Sequence, residues 1–480
     1  MAFLIGGANT LDDSYTIDNS LKFNPGDNAY LNRTPGSEGN KRTFTLSFWA
    51  KISANYGTDT STNNFFTARN SGGYTTGIQQ ISGGHIQAFI YDNTGGEEYK
   101  LQLKTNAVFR DVSAWYHIVF AVDTTQGTAS NRGKLYVNGS QVTSFATETY
   151  PDQNFDSHIN DDVPHYMGNK DGSNDDYDGY LADFYLIDGT QYAASNFGET
   201  DDNGVWIPKD AKGDLTFGTN GFFMEFQQTG TSANSSGKGA DTSGQDNHYD
   251  DNNMTAEDIT TDTPTNNFCT FNPLDVSGDE NPAKVCTFSE GNTKVVQGNS
   301  NDVIGWAAST IGIRNGKWYF EIKLPTVGYQ VFGIGPESWD GQDTASANVF
   351  MVYIDNGSAT FRTGASGGQG SFSFSESNND IWMFALDLDT PKLWFGVNGS
   401  WYNSGDPSAG NNPTSTQAIT DTVFIKGSLY TQNRELLLNT GQPSFSISSG
   451  NSDANGHGNF EYAPPSGFLS ICTKNLAETG

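Results

Sequence analysis

Two stretches of this chain are written on one plan. Residues 115–123 read WYHIVFAVD and 134–140 read KLYVNGS, while 382–389 read WMFALDLD and 392–400 read KLWFGVNGS. In each, a Trp opens a run with apolar residues at alternate positions and an Asp closes it. A second run then ends in Asn-Gly. A period of two marks a β-strand, and Asn-Gly takes the φ > 0 conformation that a two-residue hairpin turn requires. Two copies so far apart predict two sandwich domains of related design. Such a chain is a scaffold that presents surface loops rather than a catalytic core.

The remaining residues fit that class. At 480 residues the chain has room for two or three domains with cores of their own. Its apolar content leans on 32 Phe and 21 Tyr, and 55 Gly supply turns. No stretch keeps a helical period over three turns, and 192–197 allows one short helical turn at most. The expected fold is all-β: two antiparallel sandwiches, or jelly rolls, joined by a long Gly/Ser/Asn/Asp-rich connector.

Alternation places the elements. In FTLSFWAK at 44–51, Phe44, Leu46, Phe48 and Ala50 share one face, and Thr45, Ser47, Trp49 and Lys51 the other. Weaker strands are expected at 64–69, 76–82, 85–91 and 99–104, and GYLADFYLID at 179–188 closes the first sandwich. In KWYFEIK at 317–323, Trp318, Phe320 and Ile322 share a face against Tyr319, Glu321 and Lys323. The predicted organisation is an arm at 1–18, a first sandwich at 19–198, a connector at 199–265 and a second sandwich at 266–480. The connector holds one strand, GFFMEF at 221–226, and proteolysis is expected to split the chain near 230. The apolar tail from Phe460 to Leu476 is expected to supply a last, closing strand.

Charge excludes some functions. Against 25 basic residues stand 55 acidic ones, a net charge of −30. Such a surface repels nucleic acid and anionic membranes, and it favours solubility or divalent cations. No signal peptide or membrane span is visible. The three cysteines, Cys269, Cys286 and Cys472, have no C-x-x-C spacing and read as free buried thiols. Synthesis in a reducing cytoplasm, with release by lysis as virus particles do, is the expectation.

Two groups of residues are candidates for binding. The acidic run Asp171-Gly-Ser-Asn174-Asp175-Asp176-Tyr-Asp178 offers carboxylates on a glycine-containing loop, where a cation wanting six to eight oxygens could gather them. Trp339, in PESWDGQD, and Trp401 and Tyr402, after the second Asn-Gly, offer aromatic faces of the kind that stack on sugar rings. The competing readings are a solvated acidic turn and a Trp401 that folds back over its own hairpin. Of the six histidines, His117 lies inside a strand and reads as a packing or rim residue. His158 and His165 lie among acidic residues, a spacing common by chance. No nucleophile elbow or phosphate loop occurs. Asn-Gly-Ser at 138–140, 356–358 and 398–400 is explained by turn chemistry.

Taken together, NSLKFNPGDNAYLNRTP, FTLSFWAK, WYHIVFAVD, LYVNGSQV and GYLADFYLID resemble a laminin-G-type, concanavalin-A-like lectin domain. GKWYFEIKL, YQVFGIG, IWMFALDLD, KLWFGVNGSWYN and GFLSIC resemble a SPRY domain. The whole layout is similar to tail and virion surface proteins of marine bacteriophages. That resemblance implies a calcium ion at the Asp171–Asp178 rim and partner contacts through sandwich loops. It implies no enzyme: the related hydrolases carry Glu-x-Asp-x-(x)-Glu on one strand, and here Glu199-Thr-Asp201 is followed by Asn203 and Gly204. The implied role is a virion tail fibre or appendage, homo-oligomeric with a trimer as the natural arrangement, that contacts other virion proteins and host-surface glycan. A capsid decoration or head fibre protein that reads no receptor, and a secreted glycan-degrading enzyme, are the alternatives.

Overall fold

The computed structural model describes residues 15–53, 62–92, 98–173, 175–275, 286–298, 305–339, 348–355, 358–363, 368–371, 376–430 and 433–479. The described chain divides into two compact units that meet in sequence between Thr265 and Asn266.

Each unit is built around two large sheets of mainly antiparallel strands. In the first, one sheet runs in the order Ser140–Gln141, Gly133–Val137, Trp115–Asp123, Thr43–Ile52, Gly179–Asp188, Ser20–Phe23 and Ile259–Thr260, and Phe222–Met224 also pairs with Gly179–Asp188. The other runs Phe145–Thr149, Glu98–Thr105, His85–Asp92, Thr75–Ile81, Asn63–Arg69, His165–Met167, Tyr30–Arg33 and Asp250–Asn252. Phenylalanine fills the space between. Phe48 stacks flat on Phe184 at 4.7 Å, and Phe65 and Phe66 close around them. The faces expected of residues 44–51 are the faces observed, with Phe44, Leu46, Phe48 and Ala50 in the central core.

The opposite face departs from expectation. Thr45, Ser47, Trp49 and Lys51 are buried too. A second apolar layer covers that sheet: Tyr185, Phe197, Ala211, Phe217 and Phe223 pack on its outside, and Tyr15 and Ile17 lie with Trp49 and Ala182. Thr45, Ser47 and Lys51 each have a partner, as buried polar groups require. Thr45 Oγ1 donates to the Thr190 carbonyl at 2.8 Å, and Lys51 Nζ lies 2.7 Å from Asp262.

His117 makes the same point. The Trp206 indole N–H can only donate, and it lies 3.1 Å from His117 Nδ1. Nδ1 is therefore the acceptor, and Nε2–H donates to Ser47 Oγ at 2.9 Å. His165 is held likewise, with Nε2 accepting from the Asn160 N–H and Nδ1–H donating to the Val163 carbonyl. Burial holds His117 down at about 3 and His165 at about 4, from an ordinary 6.5. Both are neutral when folded, so the unfolded chain takes up protons first as pH falls below 6.5, and stability is lost from there toward pH 3–4. The melting temperature of the first unit is expected to drop across that window. His117→Gln should flatten the drop, which a pH series of thermal melts measures.

The segment 199–265 is no free connector. Asp250–Asn252 and Ile259–Thr260 add edge strands to the two sheets, and Phe222–Met224 joins the Gly179–Asp188 strand. Buried ion pairs Lys22–Asp258 (3.5 Å), Lys51–Asp262 (2.7 Å) and Lys238–Asp251 (2.6 Å) fasten it. The expected proteolytic split near 230 therefore falls inside the first unit, and the boundary moves to 265.

In the second unit one sheet runs Thr287–Ser289, Lys294–Val296, Glu435–Asn439, Lys317–Leu324, Asp380–Asp387, Lys392–Val397 and Ser400–Trp401. The other runs Gly305–Ile313, Val423–Leu429, Gln330–Pro336, Phe350–Asp355, Ser358–Thr363 and Gly368–Ser371. Trp318, Phe320 and Ile322 enter its core as expected. The tail does add a strand, Leu469–Ser470, parallel to Lys317–Leu324. It then ends in a helix, Thr473–Thr479, which the sequence did not announce.

The duplicated hairpins are real, but their register differs from a Trp-on-Trp alignment. Counted from Asn-Gly, Ile118 pairs with Val137 and Trp382 with Val397. Trp382 thus corresponds to Ile118, and Trp115 lies before the shared part. Asn138 (φ 46°) with Gly139 (φ 79°), and Asn398 (φ 47°) with Gly399 (φ 83°), make matching turns of the primed type. In both, the Asn side chain extends the ladder: Asn138 Oδ1 accepts from the His117 N–H at 2.8 Å, and Asn398 Oδ1 from the Ile381 N–H at 2.9 Å.

Candidate functional site

On the first unit, the sheet opposite the doubly covered one carries a groove of about 660 Å³ on its outer face. Strand alternation builds its floor. Ile78, Ala88, Ile90, Leu101 and Leu103 point into the core, so Thr75, Gln79, Phe89 and Tyr91 point out and line the groove; Tyr99, on the parity of Leu101, joins them through an irregularity in the pairing. The register shifts between Ile90 and Tyr91, and the pairing then sets Tyr91 opposite Tyr99. Their rings meet edge-on at 5.2 Å, and Tyr99 also meets Phe89 at 6.1 Å.

The rim comes from two turns. Asn70 Oδ1 accepts from the Gly72 and Tyr74 N–H groups, and Gly73 takes φ 87°, which turns the chain back beside Arg69. Opposite, Lys170 Nζ and Asp175 pair at 2.9 Å. Tyr91 also borders a smaller pocket of about 240 Å³ with Tyr74, Phe155 and His158. The two hollows form a track with aromatic walls, amide and hydroxyl groups on its floor, and charges at its edge. That composition suits a polar ligand with apolar ring faces.

The acidic run meets this site only at its edge. Asp175 lines the groove, but the run does not gather carboxylates around one point. Asp171 Oδ1 accepts from the Ser173 N–H and hydroxyl, Asp175 pairs with Lys170, and Asp176 accepts a short hydrogen bond from Asn169 Nδ2. Burial raises the Asp176 carboxyl above its ordinary range, partly offset by that bond. The Asp178 N–H is held by Asn63 Oδ1 at 2.9 Å. Asn174 lies outside the described residues. Among the described residues, the acidic groups close enough to share an ion are Glu38, Asp161 and Asp162. Lys41 Nζ already lies 3.1 Å from Glu38 and 3.4 Å from Asp161.

The aromatic candidates also sit differently. Trp339 is buried, edge-on to Trp306 at 5.6 Å among Val331, Val349 and Met351, so it has no ring face to offer. Tyr402 lays one face flat on Phe395 at 5.1 Å and covers its own hairpin. Trp401, half-buried, packs edge-on to Tyr319. Glu199 lies in the short strand Gly198–Thr200, opposite Ile207, and Asp201 begins the turn that follows, its Oδ1 accepting from the Asn203 and Val205 N–H groups. The groove residues had a signal that passed unread: Phe89 and Tyr91 alternate with Ala88 and Ile90, so AFIYD is apolar on the face that ought to be polar.

Residues 25–196 match the model of a family described as the concanavalin A-like lectin/glucanases superfamily. No curated protein matches the chain. Among solved structures, the SPRY domain of human HERC1 is similar at 13% identity, covering 35% of this chain and 96% of its own, with a TM-score of 0.25. Domains LG4-5 of the mouse laminin alpha1 chain match at 10% identity over 90% of both chains, with a TM-score of 0.28. A native heptameric SAP-like pentraxin from Limulus polyphemus matches at 16% identity, covering 37% of this chain and 78% of its own, with a TM-score of 0.27.

Proposed function

We propose that this chain is a non-enzymatic carbohydrate-binding protein, carried on a bacteriophage particle as a tail fibre or similar appendage, that attaches to host-surface glycan. The observation that carries the reading is the groove: paired Tyr91 and Tyr99 rings beside the Gln79 amide and the Arg69 guanidinium, on a domain that matches a lectin-containing superfamily. Stacking against tyrosine and hydrogen bonds to amide and guanidinium are how proteins hold sugars. The absence of hydrolysis is supported by the lining. In the larger groove Asp175 is the one carboxylate among the described lining residues, and Lys170 pairs with it; of Asp92 and Asp156, which line the smaller hollow, Asp156 pairs with Arg42, whereas glycoside hydrolysis takes two carboxyl groups free to flank the scissile bond. The virion setting rests on the likeness of the sequence layout to marine phage surface proteins.

The labelled, purified chain is expected to bind members of a printed glycan array. Tyr91→Ala with Tyr99→Ala should weaken that binding roughly tenfold or more while the melting temperature holds. Undiminished binding by the double variant, or loss only on Trp401→Ala with Tyr402→Ala, would move the site elsewhere.

A further inference from the structure

We propose that the groove selects an acidic glycan, one in which a sugar carboxylate is held by Arg69; this rests on the groove being a carbohydrate site. Arg69 differs from the other arginines of the first unit. Arg33 bonds to Asn247, Arg42 to Asp156, Arg110 to the Gly83 carbonyl, and Arg132 to the carbonyls of Gln126, Gly127 and Pro151. The Arg69 guanidinium makes no hydrogen bond among the described residues. The carboxylate oxygen nearest to it, on Asp171, is 4.0 Å away, beyond hydrogen-bonding range. Its side chain is 28% exposed and lines the groove.

A second observation comes from the floor. Gln79 is 7% exposed, and its side-chain amide has no hydrogen-bond partner among the described residues. Its place in the groove wall lets the amide oxygen accept from, and the amide N–H groups donate to, the hydroxyls of a sugar. Lys170 pairs closely with Asp175 at 2.9 Å, whereas the ion pair of Arg69 with Asp171 is loose at 4.0 Å, which leaves the Arg69 guanidinium N–H groups open to a ligand. Its planar fork matches a carboxylate through two parallel N–H···O bonds. The net charge of −30 sets the opposite limit, since it repels a dense polyanion. The fitting ligand is a sparsely charged glycan with one acidic sugar at the Arg69 end of the track and ring faces toward Tyr91 and Tyr99.

The test uses the full chain on an array of matched pairs: uronic-acid or sialylated glycans beside their carboxyl-reduced counterparts, and sulfated glycans beside their desulfated counterparts. The carboxylate member of at least one pair should bind roughly tenfold tighter than its reduced partner. That preference should shrink with rising salt. Arg69→Gln should abolish the preference by weakening the acidic member far more than its reduced partner, and Arg69→Lys should restore only part of it. If reduced and acidic members bind equally and both depend on Tyr91 and Tyr99, the lectin reading stands and this inference fails. A preference found only in the sulfated pairs, or one that survives Arg69→Gln, overturns it as well. Binding to no member of the array defeats both readings together.

Discussion

Glu321→Ala is expected to destabilise the second unit by about 3–5 kcal/mol, among the largest effects of any single substitution. Glu321 is fully buried on the outer face of the Lys317–Leu324 strand, beneath the C-terminal tail. Four donors converge on its carboxylate: the Tyr319 hydroxyl at 2.9 Å, Asn439 Nδ2 at 3.0 Å, and the N–H groups of Glu461 at 3.1 Å and Tyr462 at 2.8 Å. Alanine would strand all four in a site that excludes water. Burial opposes the charge, the donors favour it, and burial prevails, pushing the carboxyl up to about 7 from an ordinary 4.5. Below pH 4.5 the group is protonated in both states and its contribution is complete. Between 4.5 and 7 the unfolded chain ionises first, so stability falls as pH rises. Denaturant titrations should show that decline in the wild type and a flatter profile in Glu321→Gln. Hydrogen exchange should show residues 460–472 opening first in Glu321→Ala.

Asp262→Ala is expected to cost the first unit a similar amount, about 3–5 kcal/mol, because it leaves a buried ammonium without a counter-charge. Lys51 and Asp262 side chains are 1% and 0% exposed. Asp262 also accepts from Trp115 Nε1 at 3.2 Å, and its carbonyl accepts from Ser20 Oγ at 2.6 Å. One residue of the supposed connector thus joins three strands, Ser20–Phe23, Thr43–Ile52 and Trp115–Asp123. Removing both charges, as Lys51→Met with Asp262→Leu, should recover most of the loss, since an apolar pair of similar volume has no desolvation penalty to offset. Denaturant midpoints of the two single variants and the double variant measure the coupling. If Asp262→Ala unfolds no earlier than the wild type, 199–265 is a linker after all.

These two sites mark the limit of what the sequence discloses. Strands that face a core on one side declare themselves by alternation, as Phe44, Leu46 and Phe48 do, or Trp318, Phe320 and Ile322. The polar residues between them, Ser47, Lys51 and Glu321, read as solvent-facing. They are buried because segments distant in sequence lie over them, and local periodicity carries no information about that cover. The segment 199–265 misleads for a related reason. It is held by side chain to backbone bonds rather than by an apolar stripe. Asp241 accepts from the N–H groups of Phe223, Ser243 and Asn247, while Asn247 donates to the carbonyls of Thr219 and Gly221. Residues that make such bonds are those that also compose linkers. The groove was half legible. Asp175 stands out in the sequence by its charged neighbours. Gln79, Tyr91 and Tyr99 become neighbours only through sheet pairing, including a register shift that no composition announces.

The central claim, that sugar is bound on the outer face of the second sheet of the first unit, is tested most directly by a crystal structure of the full chain with its tightest-binding array glycan. The account predicts sugar density along the track, rings against Tyr91 and Tyr99 and an acidic group within hydrogen-bonding distance of Arg69. Density at the Trp401–Tyr402 hairpin, with the groove holding solvent, would contradict it.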